Sequence, residues 1–232
     1  MQFDFQEDPS ASIIKVIGIG GGGNNAVNFM YNLGISGVNF VVCNTDAQAL
    51  EKSPVPTKIQ LGPSLTDGRG AGAVPEVGKA ATIESEEEIR AILAKNTKMC
   101  FVTAGMGGGT GTGGAPVVAR IARELGILTV GIVTVPFEFE GKSKRDKAAN
   151  GLEELKENVD AIIVISNNKL KEIYGNLSLT DAFSQADNIL ATAAKGISEI
   201  ITKPGLVNVD FEDVKTVMKN SGVAIMGSGS AS

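Results

Sequence analysis

Apolar residues along this chain fall in short continuous blocks rather than in alternation. Segments such as ILTVGIVTV and DAIIVIS are about one strand long and rich in Val and Ile. A half-exposed strand alternates apolar with polar residues. Continuous blocks therefore indicate strands covered on both faces, as in a parallel sheet between helices. The blocks predict strands over residues 13–18, 38–43, 58–61, 99–104, 129–135 and 161–166. Between them the apolar spacing becomes helical, predicting helices over 24–33, 75–81, 85–95, 114–125, 143–158 and 180–202. This alternation points to an α/β fold, a Rossmann-like parallel sheet with helices on both faces. Ser85 before Glu86, Glu87 and Glu88 reads as a helix cap with acids in the first turn, the three acids otherwise forming a solvated face. Thr180 and Asp181 open the long helix in the same way.

Composition narrows the chemistry. The net charge of −5 argues against general nucleic-acid binding, which needs a basic surface. Histidine is absent, which excludes a His triad, a His-ligated zinc site and an imidazole base. Cys43 and Cys100 lie in apolar runs and suit a reducing compartment. The start, MQFDFQEDPSAS, is acidic, unlike a signal peptide, and no apolar run nears the roughly 20 residues of a membrane span. A cytoplasmic protein without direct membrane insertion is expected.

Glycine is the outlier, with 29 in 232 residues against roughly 7% in average usage. Fifteen of them sit in three clusters, GIGGGGNN from Gly18, GRGAG from Gly68 and GMGGGTGTGG from Gly105. Each follows a strand or opens a helix, where side-chain-free backbone can bring successive amides onto an anion. The first cluster matches G-x-G-x-x-G through Gly18, Gly20 and Gly23, with Asp46 further on. Alone, it would suggest NAD. A second anion loop, with Thr110 and Thr112 but no lysine following, suggests a chain of phosphates with a metal supplying positive charge. An NAD-dependent oxidoreductase stays open as a competing reading.

The loop GGGTGTGG after a strand, with GIGGGGNNAVN, NTDAQAL, GAGAVPEVG, PFEFEGK, DAFSQAD and NVDFEDV, resembles the tubulin/FtsZ family of bacterial cell-division GTPases. The resemblance runs from about Ile13 to Ser232 and implies GTP or GDP as ligand, with Mg2+. It further implies a flexible segment over 1–12, a GTP-binding domain over 13–203, and a catalytic loop and helix over 204–232, where a second domain would begin. Partners would be further copies of the chain, head to tail, at the division site. Division-machinery and membrane-anchor proteins would bind through a tail that is absent here.

By position, the resemblance assigns Gly20, Gly21, Gly22 and Asn25 to the first phosphate and base loop, with Asn44 and Asp46 beside it. Ala71, Gly72 and Ala73 would meet the γ-phosphate. Gly105, Gly107, Gly108, Gly109, Thr110, Gly111 and Thr112 form the signature loop. Glu140 would bind ribose hydroxyls, Pro136 and Lys144 would also contact the nucleotide, and Asn167, Phe183 and Asp187 would read guanine. A carboxylate suits the paired N–H donors of guanine, which adenine lacks. Two positions depart from the family pattern. Lys144 stands where an arginine is usual, and Ser166-Asn167-Asn168 replaces P-N-D.

No acid in the glycine loops is an obvious base. Asp210 and Asp213 share one face of a helical turn, and Asp210 is also a natural N-cap. The helix from about Thr180 starts beside the base and runs roughly 30 Å, which puts these acids at the far pole of their own chain. The resemblance implies that Asn208, Asp210 and Asp213 act in trans, on the next subunit's nucleotide. A nucleotide-binding module with little turnover of its own is the alternative.

Overall fold

Side chains alternate across each strand, and this divides the core in two. Cys100, Val102 and Ala104 face one layer, while Met99 and Phe101 face the other. A computed structural model describes residues 12–175, 179–202 and 210–223. The chain runs β1 (Ile14–Ile19), α1 (Gly20–Asn32), β2 (Asn39–Asn44), α2 (Ala47–Glu51), β3 (Thr57–Gln60) and α3 (Pro63–Thr66). It continues through α4 (Pro75–Glu84), α5 (Glu86–Leu93), β4 (Met99–Gly105), α6 (Thr110–Glu124), β5 (Leu128–Val135) and α7 (Lys142–Lys156). Then come β6 (Ala161–Ser166), α8 (Asn167–Tyr174), α9 (Leu179–Thr202), α10 (Phe211–Met218) and the two-residue β7 (Gly222–Val223).

The seven strands are parallel, in the order β3-β2-β1-β4-β5-β6-β7. Helices α4 to α7 cover one face, and α1, α9 and α10 cover the other. The order turns back between β1 and β4, and in such sheets ligands bind beyond the strand C-termini at that point. The six longer strands lie within two residues of their predicted positions.

Helix starts differ more. Helix α1 begins at Gly20, not at residue 24, and α6 begins at Thr110, not at 114. Glycine is a poor helix former, but tertiary packing that only glycine permits outweighs that propensity here. Gly113 lies within α6 directly against α4, where a Cβ would fall 2.7 Å from the Lys79 amide nitrogen. Part of the glycine excess therefore serves helix packing. Ser85 does not cap α5 through its side chain. Its hydroxyl accepts from the Gly62 amide at 3.0 Å and donates to the Gln60 carbonyl at 3.2 Å, pinning the loop after β3 instead. Glu86 is more than a solvated acid, since it joins Arg90, Arg120 and Glu124 in a ring of ion pairs from 2.6 to 2.8 Å that ties α5 to α6. Helices α2, α3 and α8 had no counterpart in the sequence pattern.

Two glycines should respond to alanine with opposite signs. Gly113→Ala should destabilise by about 2 kcal/mol or more, because the methyl meets fixed backbone. Gly196→Ala, exposed inside α9 with nothing within 4 Å of its Cβ position, should stabilise by about 0.5–1 kcal/mol. Urea denaturation of both variants measures the difference, and a tolerated Gly113→Ala would contradict the α4–α6 packing.

Candidate functional site

Helices α1 and α6 start at the C-terminal ends of neighbouring strands β1 and β4, so two helix N-termini stand side by side. The first amides of a helix have no intrahelical partner and carry partial positive charge. Among the described residues, no backbone acceptor meets the amides of Gly108 and Gly109, which lead into α6. Glycine permits this proximity. A Cβ on Gly20 would lie 2.7 Å from the Gly111 nitrogen, and one on Gly111 2.8 Å from the Gly105 carbonyl oxygen. Gly21 and Gly108 are different. Neither has a left-handed φ, and a Cβ on either would meet nothing within 4 Å. Backbone strain and packing do not require glycine there, and the open space leaves room for an outside group.

A polar network holds the first loop. With its amide oriented to suit its neighbours, Asn24 donates to the carbonyls of Gly18 at 2.9 Å and Cys43 at 3.1 Å, and accepts from the Asn44 amide at 3.1 Å. Asn44 in turn accepts from the Asp46 backbone amide at 3.2 Å. The Asp46 carboxylate caps α2, accepting from the amides of Gln48 and Ala49. Both hydroxyls of the signature loop are also engaged. Thr112 accepts from the Gly107 amide at 2.8 Å, and Thr110 lies 2.6 Å from the buried hydroxyl of Thr45. Thr112 is engaged as an acceptor, so its O–H donor remains beside the loop amides. Asn24 and Thr45 were not anticipated, although Asn24 stands in the GGGGNN run and Thr45 between the two assigned residues Asn44 and Asp46.

Ala71, Gly72 and Ala73 sit against the start of α6, where a Cβ on Gly109 would lie 2.8 Å from the Ala71 methyl. Gly72 and Ala73 are both left-handed, with φ of 56° and 59°. Lys147 of α7 donates to the Ala73 carbonyl at 2.7 Å.

From these loops a cleft of about 320 Å³ extends across the strand ends to α9. Gly22, Asn25, Gly105 and Gly108 line its glycine-loop end, Pro136, Glu140 and Lys144 its middle, and Asn167 and Asp187 its far end. Glu140 accepts from the Phe137 amide at 2.8 Å and from Lys144 at 3.0 Å, so the lysine of the arginine register is tied to the acid beside it. Asn167, the first residue of α8, is buried, and its side-chain oxygen has no partner. Asn167 lines the cleft, and a buried oxygen without a donor is unusual enough to need a partner. Burial without a nearby cation pushes the Asp187 carboxyl up to about 6. Phe183 lies one turn earlier in α9. A larger cavity of about 430 Å³ opens at the opposite strand ends around Lys15, Tyr31 and Phe40, away from the glycine loops.

The two remaining acids lie elsewhere. Asp210 and Asp213 form a reciprocal cap at the start of α10, each side chain accepting from the other's amide, at 2.9 and 3.2 Å. Helix α10 packs where strands begin, with Phe211 5.8 Å from the Lys98 ammonium, just before β4. The strand itself is seven residues, about 20 Å, so the pair stands at the opposite end of the sheet from its own glycine loops. Asn208 lies outside the described residues. Among those residues no group of three or more potential metal-ligating His, Cys, Asp or Glu side chains gathers.

A family model described as Tubulin/FtsZ family, GTPase domain, matches residues 13–175. The cell division protein FtsZ of Porphyromonas gingivalis is 54% identical over 230 residues, covering 99% of this chain and 50% of that protein. The protein of the same name from Pseudomonas putida is 53% identical over 225 residues, covering 97% and 56%. The chain thus spans about half the length of the curated relatives it matches. Among solved structures, an empty FtsZ dimer from M. jannaschii superposes with a TM-score of 0.87 at 50% identity, covering 91% of this chain and 62% of that one.

Asp187 yields a pH-dependent prediction. Its folded pKa lies above the ordinary 3.8, so the folded state takes up a proton between about pH 4 and 6. The contribution of this group to stability falls as pH rises through that window, leaving a penalty above about pH 6. Asp187→Asn should remove it. The unliganded variant should gain roughly 1 kcal/mol at pH 7.5, after discounting for partial exposure, and little at pH 4. Denaturant titrations at both pH values read this directly, and an equal effect at each would show that the carboxyl is not desolvated.

Proposed function

The chain belongs to the Tubulin/FtsZ family and carries its GTPase domain, and from that membership we propose that it binds GTP and GDP and hydrolyses GTP. The observation that carries the proposal is the pair of helix N-termini, at Gly20 and Thr110, opening side by side into one cleft. Converging amides suit a run of phosphates better than the single pyrophosphate contact of a dinucleotide. Glu140 and Lys144 would contact the ribose, the unpartnered oxygen of Asn167 would take a donor from the base, and ionised Asp187 would accept from guanine N1–H and N2–H. No lysine follows in GMGGGTGTGG, so further positive charge would come from Mg2+ held chiefly by phosphate oxygens and water.

Hydrolysis needs a water in line with the γ-phosphate and a polar group to orient it. The proposed groups are Asn208, Asp210 and Asp213 of a neighbouring subunit. Distance supports this, since both described acids stand about a strand's length from their own glycine loops. A contact between opposite ends is heterologous and propagates into a filament. The same membership suggests action at the bacterial division site, with division and membrane-anchor partners bound by parts of the relatives that lie beyond this chain. A lone chain would bind nucleotide with little turnover.

Gly108→Val should leave stability within about 0.5 kcal/mol, because its side chain enters open space, and should abolish nucleotide binding by blocking amide approach. Calorimetric titration with GTP, ATP and NAD tests both parts. Normal GTP affinity in a folded variant would remove the loop from the site, and preferred NAD binding would favour the oxidoreductase reading.

The acids are tested by mixing. Asp213→Ala should keep monomer GTP affinity but lose turnover, at a cost of about 1 kcal/mol in stability from the lost cap. In a full-length background, Asp213→Ala chains mixed with Gly108→Val chains should recover phosphate release that neither shows alone. Wild-type turnover should rise faster than linearly with protein concentration. Linear turnover would assign the carboxylates to their own subunit.

A further inference from the structure

We propose that Lys147 is a positioning residue that holds loop 70–73 ready for a γ-phosphate, an inference resting on the nucleotide reading above. The starting point is conformational. Ala73 has a φ of 59° and follows Gly72 at 56°. Glycine accepts that region freely, whereas alanine resists it and stays there only where its surroundings fix it.

Three contacts fix it. The Val74 amide donates to the Ala71 carbonyl at 3.0 Å, closing the turn. Ala71 and Val74 lie against Gly109, so close that a Cβ there would fall 2.8 Å from the Ala71 methyl and 2.9 Å from the Val74 nitrogen. The third contact is the Lys147 ammonium, which donates to the Ala73 carbonyl at 2.7 Å. It comes from a separate element. Helix α7 also abuts the signature loop, where a Cβ on Gly107 would lie 2.9 Å from the Lys144 carbonyl oxygen. One rigid helix therefore braces both the ribose side of the cleft and the strained loop.

Lys147 is suited to this task. The carboxylates flanking it are Glu76 and Glu154, and Glu154 is already paired with Lys79. Among the described residues its recorded bond is to the Ala73 carbonyl alone, and no ion pair competes for it. A peptide carbonyl left free beside a phosphate would repel it, and Lys147 occupies that oxygen. The amides of Ala71, Gly72 and Ala73, which have no protein acceptor among the described residues, stay available. GDP ends before this loop, so bracing it should favour GTP selectively, by preorganisation.

The experiment compares Lys147→Met, which keeps the aliphatic stem, with Lys147→Arg, which can still donate to a carbonyl. GDP and a slowly hydrolysed GTP analogue are titrated into each nucleotide-free protein, and amide exchange over 70–74 is followed in the GDP-bound form. Lys147→Met should lose about fivefold in analogue affinity with GDP affinity unchanged, should speed exchange in the loop, and Lys147→Arg should restore both. Equal loss for both nucleotides, or no loss, overturns the proposal. Weaker analogue binding without faster exchange does so too, since the ammonium would then act on the phosphate directly. A wild-type chain that binds neither nucleotide fails at the nucleotide reading itself and takes the inference with it.

Discussion

Backbone meets backbone without intervening side chains at the point where β1 and β4 end, and most of the architecture follows from that contact. Gly20 approaches Gly111, and Gly22 approaches Gly105, at separations that a single methyl would disrupt. This closeness sets two positively polarised helix ends within one small volume at the turn-back point of the sheet. Loop 70–73 then rests on Gly109, and α7 braces both. Moving the strands apart by a methyl's width would separate the amides as well.

Several groups around the cleft are poorly satisfied when the protein stands alone. Asn167 has a buried oxygen with no donor, Asp187 carries a carboxyl whose ionised form is disfavoured by burial, and Ala73 holds a left-handed backbone. Each costs folding stability, and on the proposed reading a guanine nucleotide would donate to the Asn167 oxygen and to the Asp187 carboxylate and would meet the amides of the strained loop. The opposite pattern holds for Cys43 and Cys100. Burial raises both thiols, that of Cys100 to about 12, inside the core and far from any reactive role.

The strands were legible because burial on both faces imposes continuous apolar runs, and Val130 or Ile163 could hardly be placed otherwise. Helix α9 was legible from its length and period. The starts of α1 and α6 were not, because intrinsic propensity argues against glycine in a helix and the compensating contacts come from distant residues. Asp46 has a structural role that its local pattern did not show. Its spacing fits a ribose-binding acid, and one oxygen of its carboxylate caps α2. Thr45 with Thr110, and Lys147 with Ala73, pair residues 65 and 74 positions apart, so no window along the chain could reveal them.

The acids at the far pole have a structural role visible in a single chain, and the proposed catalytic role would add a second. Asp210 and Asp213 each spend one carboxylate oxygen on the other's amide, which fixes the first turn of α10 and leaves a second oxygen on each side chain exposed. A reciprocal cap is a rigid way to present two carboxylates, since both rotamers are set by bonds to backbone. Rigidity matters if the pair is to orient a water on another molecule, because the whole alignment must then survive docking of separate bodies. Capping alone would be served as well by Ser and Glu. What distinguishes two aspartates is their short reach and paired negative charge, which would repel a phosphate unless amides, Mg2+ or Lys147-braced loop backbone offset it. The two poles are therefore complementary in sign, with acids at one end and helix N-termini at the other.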